Sequence, residues 1–182
     1  LIIGSEGTLA IVTEAILRIY PRPEHTATLL VPFPTLEDVS AAVPAIVRSG
    51  VGPLMTEYIE LVTMAGITEA AGLDLGLPQE IKDTALAYLV VALEARREEQ
   101  LEADTAEVAE LVTELGALDV YVLPPAAANQ LIEARERAFW VAKANGANDI
   151  VDTVVPRAAI PAFLAAVADL AAAHDAWVVG CG

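Results

Sequence analysis

The sequence predicts an α+β fold in which a mostly antiparallel sheet is covered by helices. Short apolar segments of period two alternate along the chain with longer segments whose apolar residues recur every three to four positions. Most of the longer segments are apolar on one face only, which is typical of helices that cover a sheet. No glycine-rich phosphate turn follows a strand in the body of the chain, so a doubly wound parallel sheet is the less favoured alternative.

A boundary is predicted near the start of the chain. Residues 11–20 alternate loosely between apolar and polar side chains and end at Pro21 and Pro23. Prolines lack a backbone donor and fix φ, so they stop a strand or a helix. Residues 26–33 then alternate again with period two, which predicts the first strand of the main domain.

The following segments predict a helix, a strand and a second helix. Thr35 is a capping residue for a helix that runs to Ser49 and stops at Gly50. Residues 54–59 predict a strand, and residues 60–71 predict a short helix. The segment after that helix contains glycines and a proline, which indicate a loop.

The middle of the chain predicts the centre of the sheet. Residues 86–93 are apolar on both faces, which is typical of a central strand. Residues 98–115 are amphipathic and predict a helix that stops at Gly116. A short strand is predicted at residues 120–123, and an alanine-rich helix at residues 126–143.

Two further strands are predicted at residues 150–155 and 176–179, on either side of a helix that begins at Pro161. The whole series therefore consists of strand–helix–strand pairs with short connections. Such a series fits a sandwich of ferredoxin-like type, in which helices cover one face of the sheet.

Composition and charge exclude several classes of protein. The 182 residues are 55% hydrophobic and 20% charged, which excludes a disordered chain. The net charge of −16 repels phosphates and anionic lipids, so nucleic acid and membrane surfaces are improbable partners. The longest uncharged stretch, residues 120–132, contains two prolines and is too short for a membrane span. The single cysteine, Cys181, cannot form an internal disulfide, so we expect a reducing, cytoplasmic location.

The run Gly4, Ser5, Glu6, Gly7 and Thr8 is the first candidate ligand site. Its two glycines let the backbone turn tightly and approach a ligand closely, while Ser5 and Thr8 are donors for phosphate oxygens. A pentapeptide of this kind is, taken alone, more often an ordinary turn.

The residues around that run resemble a known family. Residues 4–15, together with Leu17, Arg18 and residues 21–24, are similar to the segment that closes the FAD-binding domain in FAD-linked oxidases of the vanillyl-alcohol-oxidase type. The resemblance is strongest to the branch that contains D-lactate dehydrogenases, glycolate oxidase flavin subunits and D-2-hydroxyglutarate dehydrogenases.

A second part of the resemblance lies far downstream. Residues 131–138, 152–157 and 178–182 follow the cap domain of the same branch in order and spacing. The resemblance implies that residues 1–24 are the tail of an FAD-binding domain and that residues 25–182 are a substrate-cap domain. In the family a His-x-Gly-Asp-Gly-Asn-x-His motif with metal-binding histidines comes next, so we expect an excerpt that ends before this motif and before its divalent metal.

The resemblance also implies a cofactor and a set of site residues. FAD is the implied cofactor, with most of its site outside this chain. Gly4, Ser5, Glu6, Gly7 and Thr8 are implied to line the flavin through backbone contacts.

Arg135 is implied to hold the carboxylate of the substrate, and the planar fork of an arginine suits that task. From the residues alone, an ion pair of Arg135 with a neighbouring acid such as Glu133 or Glu136 is an equally open interpretation.

The implied reaction is oxidation of a lactate-like or glycolate-like 2-hydroxy acid to the 2-oxo acid, with hydride transfer to the flavin. We expect the fragment alone to be inactive, and the longer enzyme to need an electron-acceptor partner or to form a homo-oligomer. The alternative function is a non-catalytic α+β module for ligand binding or oligomerisation, since the fold alone does not distinguish the two.

Several residues depart from the pattern of the branch or are assigned to other roles. In the branch that the chain resembles, relatives often carry a polar residue at the position of Phe139, and some carry a lysine at the position of Ile150. Because apolar side chains leave a second carboxylate unpaired, they favour a small or apolar-tailed acid. Phe139 and Trp140 are predicted in the core, and Cys181 is predicted to be a small buried hydrophobe. Both histidines are predicted at the solvated surface.

Overall fold

A computed structural model describes residues 2, 5, 7–21 and 23–182, and these residues form a four-stranded antiparallel sheet. The spatial order of the strands is β2-β3-β1-β4. All three pairs of neighbouring strands run antiparallel. The strands are β1 (His25–Phe33), β2 (Met55–Glu60), β3 (Ala87–Ala95) and β4 (Tyr121–Leu123).

The same residues form seven α-helices and one short 3₁₀ turn at Arg157–Ala159. The helices are α1 (Leu36–Ser49), α2 (Leu61–Ala71), α3 (Gln79–Thr84), α4 (Glu98–Glu114), α5 (Pro125–Glu136), α6 (Ala138–Ala144) and α7 (Ile160–Ala173). The connection β1-α1-β2-β3-α4-β4, with α2 and α3 inserted before β3, has the order and the antiparallel pairing of a ferredoxin-like unit. The predicted α+β class is confirmed.

Helices cover both faces of the sheet, so the prediction of one covered face is wrong. On one face, side chains of α1, α4 and α7 pack with Leu29, Val31 and Val91. On the other face, side chains of α2, α5 and α6 pack with Leu30 and Val90. The reason is visible in β3, whose residues are buried at every position except Glu94, because a strand that is apolar on both faces needs cover on both.

The structure has no strand at residues 150–155 or 176–179, where the last two strands are predicted. Residues 150–155 have no regular secondary structure, and Val151 and Val154 are 80% and 95% exposed. Residues 176–179 are irregular as well, and Trp177 is 78% exposed. Apolar residues with period two are not sufficient for a strand, because a strand also needs a partner for its backbone hydrogen bonds.

The predicted helix over residues 126–143 is two helices. Arg137 separates α5 from α6, and its N–H donates to the carbonyl of Ala134 at 3.0 Å, one residue short of the helical spacing. The chain turns there, so Phe139 and Trp140 are 46% and 70% exposed and the prediction that they lie in the core is wrong. Their rings pack edge to face on each other, with centroids 4.9 Å apart.

The first described residues precede the sheet. Residues 10–21 have no helix or strand and carry apolar side chains that are largely exposed, such as Ile11 and Ile16. β1 then begins at His25, two residues after Pro23. Within the described ranges, no helix combines the length and the apolar character needed to cross a membrane.

Candidate functional site

Arg135 lies in the last turn of α5, a helix that packs on α2 and β1, and its side chain reaches β2 at the edge of the sheet. Prolines 124 and 125 start this helix, and its buried residues Ala128, Leu131 and Ala134 fix the face that packs on the core. Arg135 is the next residue after the buried Ala134. A cation in the last turn also interacts favourably with the helix dipole.

The partner of Arg135 is Glu57 in β2. The Nε–H of Arg135 donates to Oε1 of Glu57 in a charge-assisted hydrogen bond. The two residues are 78 positions apart in sequence, so this bond joins two distant elements. The neighbouring acids Glu133 and Glu136, which the sequence leaves open as partners, do not form this bond.

The two side chains differ in their exposure. The Glu57 side chain is 7% exposed, whereas that of Arg135 is 43% exposed. Burial lowers the pKa of the Arg135 guanidinium, but the hydrogen bond and the charge of Glu57 outweigh burial and raise this pKa. The guanidinium is therefore a permanent cation with one edge held and the rest open to solvent.

The terminal amino groups of Arg135 are the part of this arrangement that is available to a ligand. A guanidinium has five N–H donors, and the bond to Glu57 uses the one on Nε. In the described part of the chain, the amino groups beyond Nε have no hydrogen-bond partner. They form a planar fork that matches the two oxygens of a carboxylate.

The end of the chain lies along the outer edge of β2. The N–H of Tyr58 donates to the carbonyl of Gly182 at 2.7 Å, and the N–H of Gly182 donates back to the carbonyl of Tyr58 at 3.0 Å. The N–H of Glu60 donates to the carbonyl of Gly180 at 3.1 Å. Cys181 pairs with Ile59 across this short ladder. Residues 180–182 therefore bring the tail next to the strand that carries Glu57.

Burial changes the acidity of the groups on this edge. Burial, with the nearby charge of Glu60, raises the pKa of Tyr58 to about 12. Burial also raises the pKa of Glu60, although the N–H of Gly180 that it binds opposes this change. Burial and the charge of Glu57 raise the pKa of the half-buried Cys181 thiol, so this thiol is mainly protonated at neutral pH.

The predicted flavin-lining residues are only partly described. Gly4 and Glu6 lie outside the described residues. Ser5, Gly7 and Thr8 form a turn, in which the N–H and the hydroxyl of Thr8 both donate to the carbonyl of Ser5, at 2.9 and 2.6 Å. Among the described residues, none of the hydrogen bonds of this turn reaches the site around Arg135.

The backbone of this turn is open at Gly7. Gly7 has φ of +76°, which favours glycine, and a Cβ there would meet no atom within 4 Å. Open backbone of this kind is compatible with close approach of a cofactor. That these residues line a flavin stays a prediction.

A divalent metal does not fit the residues at hand. Within the described ranges there is no group of three or more His, Cys, Asp or Glu side chains that is able to hold a metal ion. His25 begins β1 and His174 follows α7, so the two histidines belong to different elements. We therefore assign no chemical step to a metal.

The sequence profile of the FAD linked oxidases, C-terminal domain, matches residues 22–182. The chain belongs to this family. It is 53% identical over its whole length to an uncharacterized FAD-linked oxidoreductase of Mycobacterium tuberculosis. It is 34% identical over 96% of its length to a D-lactate dehydrogenase of Anaerostipes hadrus, and 30% identical over 96% of its length to glycolate oxidase subunit GlcD of Bacillus subtilis.

The chain covers only part of each of these relatives. It spans 40% of the length of the mycobacterial protein, 37% of the D-lactate dehydrogenase and 36% of the glycolate oxidase subunit. Among solved structures, an alkyldihydroxyacetonephosphate synthase superposes with a TM-score of 0.50 at 18% identity, over 76% of this chain and 28% of the synthase. That likeness supports the fold.

Glu57 is the residue of the candidate site that the sequence analysis does not identify. A signal is present, because Glu57 lies on the same face of the strand as Met55 and Ile59, and Ile59 is buried. A carboxylate at an inward position of a strand needs a cationic partner. The identity of that partner depends on how α5 packs on α2 and β1, which the sequence pattern does not specify.

Proposed function

We propose that this chain is the substrate-binding cap of a longer FAD-dependent oxidoreductase that oxidises a small 2-hydroxy acid to the 2-oxo acid. The observation that carries the proposal is the half-exposed guanidinium of Arg135, held through Nε by the buried Glu57. This arrangement presents a fixed cationic fork in a protein whose net charge is −16. An acidic protein needs such a local cation to bind an anionic substrate.

The relatives support the same substrate class. Two proteins that match nearly the whole chain carry the names D-lactate dehydrogenase and glycolate oxidase subunit, and both names refer to 2-hydroxy acids. Every such substrate has a carboxylate next to the carbon that is oxidised. A cation that holds the carboxylate therefore also positions the reacting carbon.

FAD, when bound to the longer protein, supplies the two-electron acceptor for this oxidation. In the proposal, the backbone at Ser5, Gly7 and Thr8 lines the flavin, and Arg135 places the substrate against it. The interactions of Arg135 with the carboxylate exist before and during the reaction. Their loss should therefore raise KM more than it lowers kcat.

The proposed substrate is small or has an apolar tail. Phe139 and Ile150 stand at positions where, by resemblance, relatives often carry a polar residue and some carry a lysine, and they are 46% and 40% exposed. Neither side chain offers a second cation, so the distal carboxylate of a dicarboxylate would lose its hydration without a partner. We therefore expect kcat/KM for lactate to exceed that for 2-hydroxyglutarate.

The test is kinetic and uses the longer flavoprotein. Arg135→Ala should raise KM for lactate by about 10- to 100-fold, because a charge-assisted, bidentate contact is lost. Arg135→Lys should recover part of this loss. Arg137→Ala is the matched control, since Arg137 is the exposed arginine two positions further along and should leave KM unchanged.

Flavin absorbance of each variant establishes whether the cofactor is retained. Unchanged KM in Arg135→Ala would remove Arg135 from the substrate site. A flavin that no 2-hydroxy acid reduces under anaerobic conditions would contradict the proposed reaction and favour a non-catalytic module.

A further inference from the structure

Glu57 is a buried carboxylate with a single hydrogen-bonded partner in the described part of the chain. The residue is 5% exposed, and among the described residues its carboxylate accepts one hydrogen bond, from the Nε–H of Arg135. Buried carboxylates are costly unless they are paired, so this pairing is required wherever Glu57 is ionised.

Glu57 and Arg135 divide two tasks between them. Glu57 is nearly enclosed, with 7% of its side chain exposed, whereas 43% of the Arg135 side chain remains accessible to a ligand. The bond to Glu57 uses the Nε–H of the guanidinium, and in the described part of the chain the terminal amino groups have no hydrogen-bond partner. The strand therefore holds one edge of the arginine, and the opposite edge is open.

Stability alone is a weak reason for such a pair. A half-exposed arginine is solvated without a partner, and a buried glutamate in a strand is replaceable by an apolar residue at little or no cost. The neighbouring Met55 and Ile59 show that this face of β2 accepts apolar side chains. What an apolar residue cannot supply is a fixed orientation of the guanidinium.

We propose that Glu57 is a positioning residue, which orients the guanidinium of Arg135 so that its terminal amino groups form a carboxylate-binding fork. This inference rests on the proposed function, because it assumes that Arg135 binds the substrate carboxylate. Glu57 itself does not touch the substrate. It acts through the Nε hydrogen bond.

The charge of Glu57 also affects carboxylate binding, in the direction opposite to its effect on orientation. Experiment therefore distinguishes the two effects. Its negative charge lies beside the cation and weakens the attraction of Arg135 for an anion. If charge dominated, removal of Glu57 would tighten carboxylate binding. If orientation dominates, removal weakens binding, because a misplaced fork loses the bidentate geometry.

Three substitutions at Glu57 separate these effects in the longer flavoprotein. Glu57→Leu removes the acceptor and the charge, and should raise the Kd of oxalate and the KM of lactate by about 10- to 100-fold. Glu57→Gln removes the charge but keeps an acceptor oxygen for Nε–H, and should stay within about threefold of the parent. Glu57→Asp keeps the charge but shortens the side chain, and its Kd and KM should lie between those of Glu57→Leu and Glu57→Gln.

The matched control is Glu133→Leu, which removes an exposed carboxylate from the same helix as Arg135 and should leave both constants unchanged. Oxalate binding is followed through the absorbance change of the flavin, so it does not depend on turnover. In an Arg135→Ala background, Glu57→Leu should add less than about twofold, because a positioning residue has no effect without the group that it positions. Arg135→Lys serves as the background where Arg135→Ala does not retain flavin.

The outcomes distinguish this inference from the proposed function. If Arg135→Ala weakens oxalate binding but Glu57→Leu leaves it unchanged or tightens it, Glu57 is not a positioning residue and the substrate role of Arg135 stands. If the losses from Glu57→Leu and from the substitution at Arg135 simply multiply, the role of Glu57 is structural. If substitution of Arg135 changes neither oxalate binding nor KM, both proposals are wrong.

Discussion

The carboxylate of Glu60 accepts a hydrogen bond from the backbone N–H of Gly180 at 3.0 Å. This bond joins the last residue of β2 to a backbone group 120 residues later. A Cβ at Gly180 would lie 3.1 Å from the hydroxyl of Tyr58 and 3.3 Å from Oε1 of Glu60. An alanine at position 180 would therefore require the ends of the Tyr58 and Glu60 side chains to shift by a few tenths of an ångström.

We expect Gly180→Ala to weaken the pairing of the tail with β2. Contacts this tight force Tyr58 or Glu60 to move, at a cost of about 1 kcal/mol or more. The amide hydrogens of Tyr58 and Gly182 should then exchange several-fold faster. Gly182→Ala is the matched control, since a Cβ there would lie 3.5 Å from the Tyr58 ring, an ordinary contact distance. Equal exchange rates in the two variants would contradict this account.

Tyr58 gives the protein a pH dependence at alkaline pH. The folded state raises the pKa of this hydroxyl from 10.0 to about 12. Below pH 10 both the folded and the unfolded chain hold the proton, whereas between pH 10 and 12 only the folded chain does. The free energy of unfolding therefore falls as the pH rises through this window, by about 1.4 kcal/mol per pH unit at most.

Replacement of Tyr58 by Phe should remove this part of the pH dependence. Urea unfolding of the parent and of Tyr58→Phe, measured at several pH values from 9 to 11.5, gives the difference directly. Tyr20→Phe is the control, because Tyr20 is 67% exposed. A parent and a Tyr58→Phe variant with parallel stability curves across that range would show that the hydroxyl keeps its ordinary pKa.

Thr35 caps α1, the helix that contributes several residues to one of the two cores. Its Oγ1 accepts the N–H of Asp38 at 3.1 Å, and Gly50 closes the other end of the helix in a left-handed conformation. Thr35→Ala should lower the free energy of unfolding by about 1 kcal/mol, whereas Thr35→Ser should retain most of it. Thermal or urea unfolding tests both. A Thr35→Ala variant as stable as the parent would mean that the cap contributes nothing.

Local patterns predicted the elements that are stabilised by local interactions. The cap at Thr35 and the stop at Gly50 bound α1 as expected, because capping depends on residues within one turn. The central strand at residues 86–93 was likewise visible, as both of its faces are apolar. The segment at residues 150–155 shows the limit. Its apolar residues suggested a strand, but in the described structure no neighbouring strand pairs with it.

The sequence predicts only the part of the candidate site that does not depend on tertiary contacts. Arg135 was found through resemblance and through the chemistry of its guanidinium, neither of which depends on tertiary structure. Glu57 was missed because its significance depends on a tertiary contact with a side chain at the end of α5, between residues that are 78 positions apart. Periodicity assigns a residue to a face of a strand, but it does not identify the helix that covers that face.

The contact between α2 and α6 limits what is tolerated at Gly66. A Cβ at this position would lie 3.0 Å from Cγ1 of Val141. Val141 is β-branched and has few alternative rotamers, so its side chain does not move aside easily. A glycine inside a helix costs about 1 kcal/mol relative to alanine, and this cost is offset here by the close approach of the two helices.

We therefore expect the effect of Gly66→Ala to change sign with the residue at position 141. In the parent, the substitution should destabilise the fold, since an overpacking cost of about 1–3 kcal/mol exceeds the gain in helix propensity. In a Val141→Ala background the clash is removed, and the same substitution should stabilise by up to about 1 kcal/mol. Ala65→Gly, at an exposed position of the same helix, measures the propensity difference alone. Urea unfolding of the four variants in the Gly66 and Val141 cycle tests this expectation, and additive effects would show that α6 does not pack on Gly66 as described.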